Sequence, residues 1–244
     1  RRPGARGPHG LADRQGKAGT RGAVYCSITG FGSAAGAGVL GYDFVGQAMG
    51  GLMSVTGDPD GEPTKVGVAL VDVLAGKDAT IGVLAALASR AQSGVGCRVE
   101  VNLLSSLLSA LVTQAQGYLE TSHVPERMGN RHPSIAPYET LRCRDGLLAV
   151  ACGNDGQFVR FAAVIGAPEL SSDTRFATNT ARVTHRDELV AALELCLAGQ
   201  DAATWQTRLT AAQVPAGKVG PIAHGVPLAA RLAAGQGHGR CERD

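Results

Sequence analysis

The stretch VGVALVDVLAGKDATIGVLAALASRAQSGVG, residues 66–96, carries the clearest structural pattern in the chain. Valine, alanine and leucine dominate residues 66–71 and predict a buried strand, and a helical pattern follows over 73–90 with Asp72 between the two. A carboxylate at the start of a helix can accept free backbone N–H groups, so one interpretation of Asp72 is a helix cap. The other is a nucleophilic or acid–base carboxylate at a strand end, where open α/β sheets bind ligands.

The helix over 73–90 is rich in small side chains, which would let a neighbouring backbone approach closely, and it stops at a glycine-bearing turn over 93–96. Alternation over 97–101 then predicts a strand, and 103–120 a second long helix with Asn102 or Ser105 as its cap. The order strand, helix, strand, helix indicates a parallel α/β layer.

Upstream, residues 23–29 predict another buried strand, which leads into a glycine-rich loop over 30–41. The loop contains GAGVLG, which matches the GxGxxG pattern of dinucleotide-binding turns. That pattern requires glycines directly after the strand and an acidic residue about twenty positions later, and neither condition is met clearly. We therefore interpret the segment as a flexible loop over an active site, followed by a helix from Tyr42 to the paired glycines Gly50 and Gly51.

Residues 128–219 predict a smaller α+β domain. Strands over 138–143 and 147–152 flank an Arg-Asp-Gly turn and form a hairpin, and helical patterns follow at about 157–165, 186–197 and 202–212. Residues 23–127 are predicted to form an α/β domain that precedes it, and a tail lies at each end of the given sequence. The tails, 1–22 and 220–244, are rich in Arg and Gly and are predicted to be disordered, although an arginine-rich leader could also bind anions.

Composition restricts the function further. The 244 residues have a formal net charge of +2 and no basic helical stripe, so nucleic acid is not an expected partner. No apolar run is long enough to span a membrane, and no secretory segment is present. The six cysteines are scattered without a CxxC pair, which is typical of reduced thiols in the cytoplasm. These features favour small-molecule chemistry.

Many short motifs in order resemble the family III CoA-transferases, which include acyl-CoA racemases and carnitine-related CoA-transferases. The resemblance extends from about residue 24 to residue 219. It is carried by residues 25–32, 41–43, 47–53, 71–72, 93–96, 129–130, 137–138, 145–146 and 214–215, and by Asn179 and Arg182. The segments 102–106 and 132–138 look more like the dicarboxylate branch, such as the succinyl-CoA:glutarate CoA-transferases. The implied fold is α/β, part of the family's large Rossmann-like domain plus a smaller α+β domain.

The resemblance assigns Asp72 as the nucleophile that attacks an acyl-CoA thioester. The implied course passes through a mixed anhydride and an aspartyl-CoA thioester, from which a small carboxylic acid takes over the CoA. The CoA thioester is thus a substrate, and we expect neither a separate cofactor nor a metal ion. A carboxylate is a weak nucleophile, but an internal carrier divides one hard transfer into easier steps.

The resemblance also places Tyr42 and Asp43 in the active-site lining, although Tyr42 could instead pack in the core and Asp43 could cap the next helix. In the racemase branch a histidine takes the position of Tyr42, so its absence favours transfer over racemisation. Gly129 and Asn130 resemble a flexible loop that closes over the aspartate and offers backbone N–H groups. The neighbouring His132 is interpreted as a loop residue rather than a catalyst.

Members of the family begin with a nucleotide-binding half, end with a long return segment and form interlocked homodimers. This sequence matches neither end, so a second hypothesis is a truncated or frameshifted product without activity, which would bind CoA weakly and aggregate. If it is active, we expect an enzyme that acts on acyl-CoA and small carboxylic acids, as a homodimer in the cytoplasm.

Overall fold

The computed structural model describes residues 21–235 and divides the chain into two compact units between Gly129 and Asn130. The sequence-based boundary lies two residues earlier, between 127 and 128. Most of the leader predicted over residues 1–22 lies outside the described residues. Each unit has its own sheet and its own hydrophobic core.

Within residues 21–129, the first unit contains two strands and four α-helices. In chain order they are β1 (Tyr25–Thr29), α1 (Asp43–Met49), α2 (Leu70–Ser93), β2 (Arg98–Asn102), α3 (Leu103–Ala110) and α4 (Val112–Thr121). β1 and β2 pair in parallel, with Tyr25 opposite Arg98 and Thr29 opposite Asn102. Because α2 lies on the connection between these strands and packs on β2, the predicted parallel α/β layer is confirmed.

The strand predicted over residues 66–71 is wrong. Residues 66–69 precede α2 without pairing to a strand of the described chain, and the helix already begins at Leu70. The buried side chain of Gln47 accepts a hydrogen bond from the Val66 N–H at 2.9 Å. A side chain therefore binds the backbone N–H group that a neighbouring strand would bind if residues 66–71 belonged to a sheet. Asp72 therefore lies inside the first turn of a helix rather than at a strand end.

The small residues of α2 form the side of the helix that packs inward. Ala75 and Ala79 are buried, and a Cβ atom at Gly82 would lie only 2.6 Å from Val99 Cγ1 in β2. Only glycine allows this approach of helix to strand. The helix ends at Gly94, whose φ of 69° is left-handed, so the predicted C-terminal turn is confirmed.

The long helix predicted over 103–120 is broken into α3 and α4. The Leu111 N–H is shared between the carbonyls of Leu107 and Leu108 at 3.2 and 3.3 Å, which tightens the last turn of α3, and Val112 adopts a φ of 40°. The cap of α3 is Asn102, whose Oδ1 accepts the Ser105 N–H at 2.8 Å. Of the two predicted candidates, Asn102 is thus correct.

The second unit combines a three-stranded sheet with helices. Its elements are β3 (Tyr138–Cys143), β4 (Gly146–Ala151), α5 (Asp155–Val164), α6 (Asn179–Thr184), α7 (Arg186–Leu197), α8 (Ala202–Ala211), β5 (Ala216–Lys218) and α9 (Ile222–Gly235). The sheet is antiparallel in the order β3-β4-β5. The predicted hairpin and three helical segments are confirmed, whereas α6 was not predicted.

The core of the second unit consists of the inner face of this sheet and the helices against it. It includes Phe158 and Phe161 of α5, Leu189 and Leu193 of α7, and Trp205 of α8. The Trp205 indole N–H donates to the Leu197 carbonyl at 2.8 Å, so its polar atom is satisfied inside the core.

Residues 222–235 of the tail that was predicted to be disordered from residue 220 form α9, and residues 236–244 of that tail lie outside the described residues. Ile222, Val226 and Leu232 are exposed, so core packing does not create this helix. Alanine and leucine after Pro227 favour helical backbone, whereas Gly225 and Pro227 disfavour it in the first half of the helix. None of the helices within residues 21–235 has both the length and the apolar character needed to cross a membrane.

Candidate active site

The candidate site of the first unit is built where the start of α1 meets the start of α2. Asp43 is the first residue of α1, and one of its carboxylate oxygens, Oδ1, accepts the Val71 N–H at 2.7 Å and the Asp72 N–H at 3.4 Å. The first residues of a helix lack intrahelical partners for their N–H groups, and α2 has no capping side chain at its own N-cap residue. Asp43 therefore caps α2 from a different element.

Gln47 completes this connection one turn further along α1. Its Nε2 donates to Asp43 Oδ2 at 2.7 Å and lies 3.4 Å from the Val68 carbonyl oxygen, and its Oε1 accepts the Val66 N–H. The side chain is fully buried, so these bonds are shielded from water. Gln47 thereby orients the Asp43 carboxylate and holds the segment that leads into α2.

Sequence reasoning did not assign a role to Gln47. The signal that could have identified it is the spacing of four residues between Asp43 and Gln47, which places two polar side chains on one face of a helix. The partners in residues 66–72 carry no such local signal, because they lie 19 to 29 residues away along the chain.

Asp72 is exposed on the first turn of α2, where the partial positive charge of the helix N-terminus favours an anion. Its N–H is directed toward Asp43, whereas its own carboxylate is accessible from solvent. The cap of α2 is supplied by Asp43 and not by Asp72, contrary to the interpretation of Asp72 as a helix cap. An exposed carboxylate on a well-anchored backbone is geometrically suited to nucleophilic attack on a bound electrophile.

Tyr42 lies directly before α1 and is 77% exposed, so the alternative that it packs in the core is wrong. Its neighbour Asp43 is half-buried. The structure thus brings the Asp72 N–H into contact with Asp43 and leaves Tyr42 accessible directly before Asp43 in the chain.

Gly129 and Asn130 lie on either side of the division between the units. Gly129 belongs to the first unit, has a left-handed φ of 60°, and donates its N–H to the Gly57 carbonyl at 3.0 Å. Asn130 begins the second unit, where its Nδ2 donates to Thr140 Oγ1 at 3.1 Å. Asn130 also lines a cleft of about 500 Å³ together with Tyr138 and Thr140.

The flanking His132 is fixed by local contacts. Its Nδ1 accepts the Ser134 N–H at 3.1 Å, and its ring lies 5.0 Å from that of Tyr138 between centroids. These contacts give His132 a structural role in the loop, in agreement with the interpretation from sequence.

Comparison with known proteins identifies relatives of both units. The family model described as CoA-transferase family III matches residues 1–234. The succinate–glutarate CoA-transferase of Agrobacterium fabrum is 41% identical over 202 residues, which are 82% of this chain and 49% of that relative. The acetyl-CoA:oxalate CoA-transferase of Acetobacter aceti is 38% identical over 207 residues, covering 84% of this chain and 53% of the relative.

Among solved structures, a CaiB/BaiF family protein from Brucella suis is 42% identical and superposes with a TM-score of 0.75. The match covers 88% of this chain and 59% of that protein. The chain spans about half the length of the curated relatives it matches, at 49% and 53% for the two enzymes above.

Proposed function

Because the chain belongs to CoA-transferase family III, we propose that it moves CoA from an acyl-CoA donor to a small carboxylic acid, with Asp72 as the nucleophile. The observation that carries this proposal is the exposed Asp72 carboxylate on a helix start whose backbone is held by Asp43. The relatives named for succinate, glutarate and oxalate support dicarboxylic acids as acceptors.

The proposed reaction returns the enzyme to its starting state. An Asp72 oxygen bonds to the thioester carbon of the donor, and CoA leaves as a thiolate, which yields a mixed anhydride. The thiolate then attacks the Asp72 carbonyl carbon, which releases the donor acid and leaves CoA on Asp72 as a thioester. The acceptor carboxylate attacks this thioester, CoA leaves again, and its thiolate attacks the acceptor carbonyl of the second anhydride. The new acyl-CoA forms and the Asp72 carboxylate is restored.

The residues around Asp72 have distinct parts in this proposal. The helix N-terminus favours negative charge on Asp72, and Asp43 with Gln47 fixes the backbone from which Asp72 projects. The resemblance to the family supports Tyr42, Gly129 and Asn130 as residues that line the site.

A homodimer in the cytoplasm is part of the same proposal. The resemblance to the family supports the dimer, and the five cysteines within the described residues are free thiols, which suits a reducing compartment. Sedimentation of the purified chain measures its mass directly.

The test uses the full chain with succinyl-CoA as donor and glutarate as acceptor. Asp72→Ala is expected to abolish transfer, and mass spectrometry of the unmodified protein after incubation with donor alone is expected to find CoA on the peptide that contains Asp72, cleavable by hydroxylamine. Asp78→Asn is the matched control, because it removes a charge from the same helix, where Asp78 accepts a hydrogen bond from Ser106 Oγ at 2.6 Å. Undiminished transfer by Asp72→Ala would refute the assignment.

A further inference from the structure

The backbone that follows Asn130 is held by an unusually complete set of hydrogen bonds. Five of the six carbonyls from His132 to Pro137 accept a bond, four of them from side chains of α6 and α7 and one from the Cys152 N–H of the sheet. Ala136 in this segment is fully buried. The segment that follows the loop at Gly129 and Asn130 is therefore a fixed part of the second unit.

The side chains that hold this segment are Asn179, Arg182 and Arg186. Their spacing of three and four residues places them on one side of the nearly continuous helices α6 and α7. Two of them, Asn179 and Arg182, belong to the motifs that carry the family resemblance, and the proposed reaction assigns them no role.

Asn179 binds the segment through both atoms of its amide. Oδ1 accepts the Ala136 N–H at 3.2 Å, and Nδ2 donates to the Ser134 carbonyl at 2.8 Å. Arg186 adds two further bonds, since its Nη2 donates to the carbonyls of His132 at 2.8 Å and Ile135 at 3.1 Å. Together these two side chains connect α6 and α7 to four residues of the segment.

Arg182 binds the segment as well, but it also contacts other parts of the core of the second unit. Its side chain is fully buried, donates to the carbonyls of Ala136 and Phe176 at 2.6 and 2.9 Å, and stacks over Phe158 at 4.4 Å from the ring centroid. A residue that connects so many parts of the core is needed for folding. It is therefore unsuitable for testing a role in positioning.

Arg186 also faces a buried acid, Glu139 of β3. Arg186 Nη1 lies 3.7 Å from Glu139 Oε1, and within the described chain neither atom has a hydrogen-bond partner. Loss of water on burial raises the pKa of Glu139 despite the attraction of Arg186 and Arg131. At 3.7 Å the two charged atoms attract each other without forming a hydrogen bond, so Arg186 is held near Glu139 by the ion pair.

Arg131, the residue directly after Asn130, is tied to the same cluster. Its Nε lies 3.4 Å from Glu139 Oε2, and its Nη2 donates to Asp187 Oδ1 at 2.7 Å. On the other side of the division, Arg127 donates to the carbonyls of Asp58 and Gly61 at 3.2 and 2.8 Å within the first unit. Both flanks of Gly129 and Asn130 are thus anchored, each to its own unit.

We propose that Arg186 and Asn179 are positioning residues, which fix residues 131–137 and thereby set the direction in which the backbone of Asn130 leaves the second unit. The inference rests on the proposed function, in which Gly129 and Asn130 line the active site. Neither side chain touches substrate, and both act through the backbone that they hold.

Hydrogen exchange of the full chain tests the anchoring without any assay of activity. Arg186→Met and Asn179→Ala are expected to accelerate amide exchange over residues 131–138 at least tenfold, with the core of α7 unchanged, and Arg186→Lys should recover part of the protection. Arg160→Met is the matched control, because Arg160 holds a different loop of the same unit through the Ala212 and Gln213 carbonyls at 3.0 and 3.4 Å. Unchanged exchange over 131–138 in Arg186→Met and Asn179→Ala would overturn the proposal.

Steady-state kinetics with succinyl-CoA and glutarate test the role in the reaction. Arg186→Met is expected to lower kcat at least tenfold while KM for the CoA ester stays within twofold, because positioning is lost and binding is kept. Arg186→Lys should restore part of kcat, and Arg160→Met should change neither constant. Accelerated exchange with unchanged kcat would overturn the positioning role and leave the proposed function intact. Absence of both transfer and the Asp72 adduct in the unmodified chain would refute the proposed function, and with it the role in catalysis, while exchange still decides the anchoring.

Discussion

Asp43 shows how one side chain can organise a site without performing its chemistry. Its two carboxylate oxygens are occupied by the Val71 N–H and by Gln47, so the carboxylate is committed to structure. The nearby Asp72 has the same functional group, but its side chain is exposed. In the proposed function, the partners of the two carboxylates, rather than their residue type, distinguish the structural Asp43 from the nucleophile Asp72.

We predict that Asp43→Ala lowers the free energy of unfolding of the first unit by about 1 to 2 kcal/mol, because α2 loses its cap. Asp43→Asn should cost less, since its amide oxygen can still accept the Val71 N–H. Urea unfolding followed by far-UV circular dichroism measures both variants. If Asp43→Ala is as stable as the unmodified chain, the cap contributes nothing to folding.

Among the helices, α3 is positioned by its first residues and by its packing. Asn102 ends β2 and caps α3, so a single side chain marks the change from extended to helical backbone. Leu103 and Leu107 then bury one face of the helix in the small core of the first unit with Val71 and Ala75. The cap determines where the helix begins, and the packing determines which face points inward.

Asn102→Ala is predicted to lower the free energy of unfolding by about 1 kcal/mol, because the Ser105 N–H loses its acceptor. Ser105→Ala provides the comparison: Ser105 contributes its backbone N–H to this bond, and its side chain is exposed, so the substitution should change stability little. Chemical denaturation of both variants provides the measurement. Equal effects of the two substitutions would contradict the assignment of Asn102 as the cap.

For the whole molecule, the two units differ greatly in the size of their cores. Among residues 21–235, the main cluster of the second unit contains seventeen buried residues, and that of the first contains four. The first unit also exposes large apolar side chains such as Ile81, Leu84 and Leu119. Since burial of apolar surface is the dominant stabilising term in folding, the second unit is expected to be the more stable.

The single tryptophan makes this difference measurable. Trp205 is buried in the second unit, so its fluorescence reports on that unit alone, whereas far-UV circular dichroism reports on the helices of both. In urea, we predict that part of the helical signal disappears before the Trp205 fluorescence changes. Coincident transitions would show that the chain unfolds as one cooperative body.

The sequence by itself determined the features that depend on neighbouring residues. The turn before Gly146 and the helix end at Gly94 were predicted, and the cap of α3 was narrowed to Asn102 or Ser105, because turn, cap and terminator preferences act within a few residues. Local β-propensity over residues 66–71 predicted a strand wrongly, because the Val66 N–H binds the side chain of Gln47, a residue of another element, and not a neighbouring strand.

Only the tertiary structure decided which side chains hold the proposed site in place. Asp43 caps a helix that begins 27 residues later, and Arg186 binds carbonyls 51 and 54 residues earlier in the chain. Such pairs leave no periodic pattern in the sequence, since each partner alone is compatible with many environments. Their hydrogen bonds form only when folding has brought distant segments together and removed the water that would otherwise satisfy them.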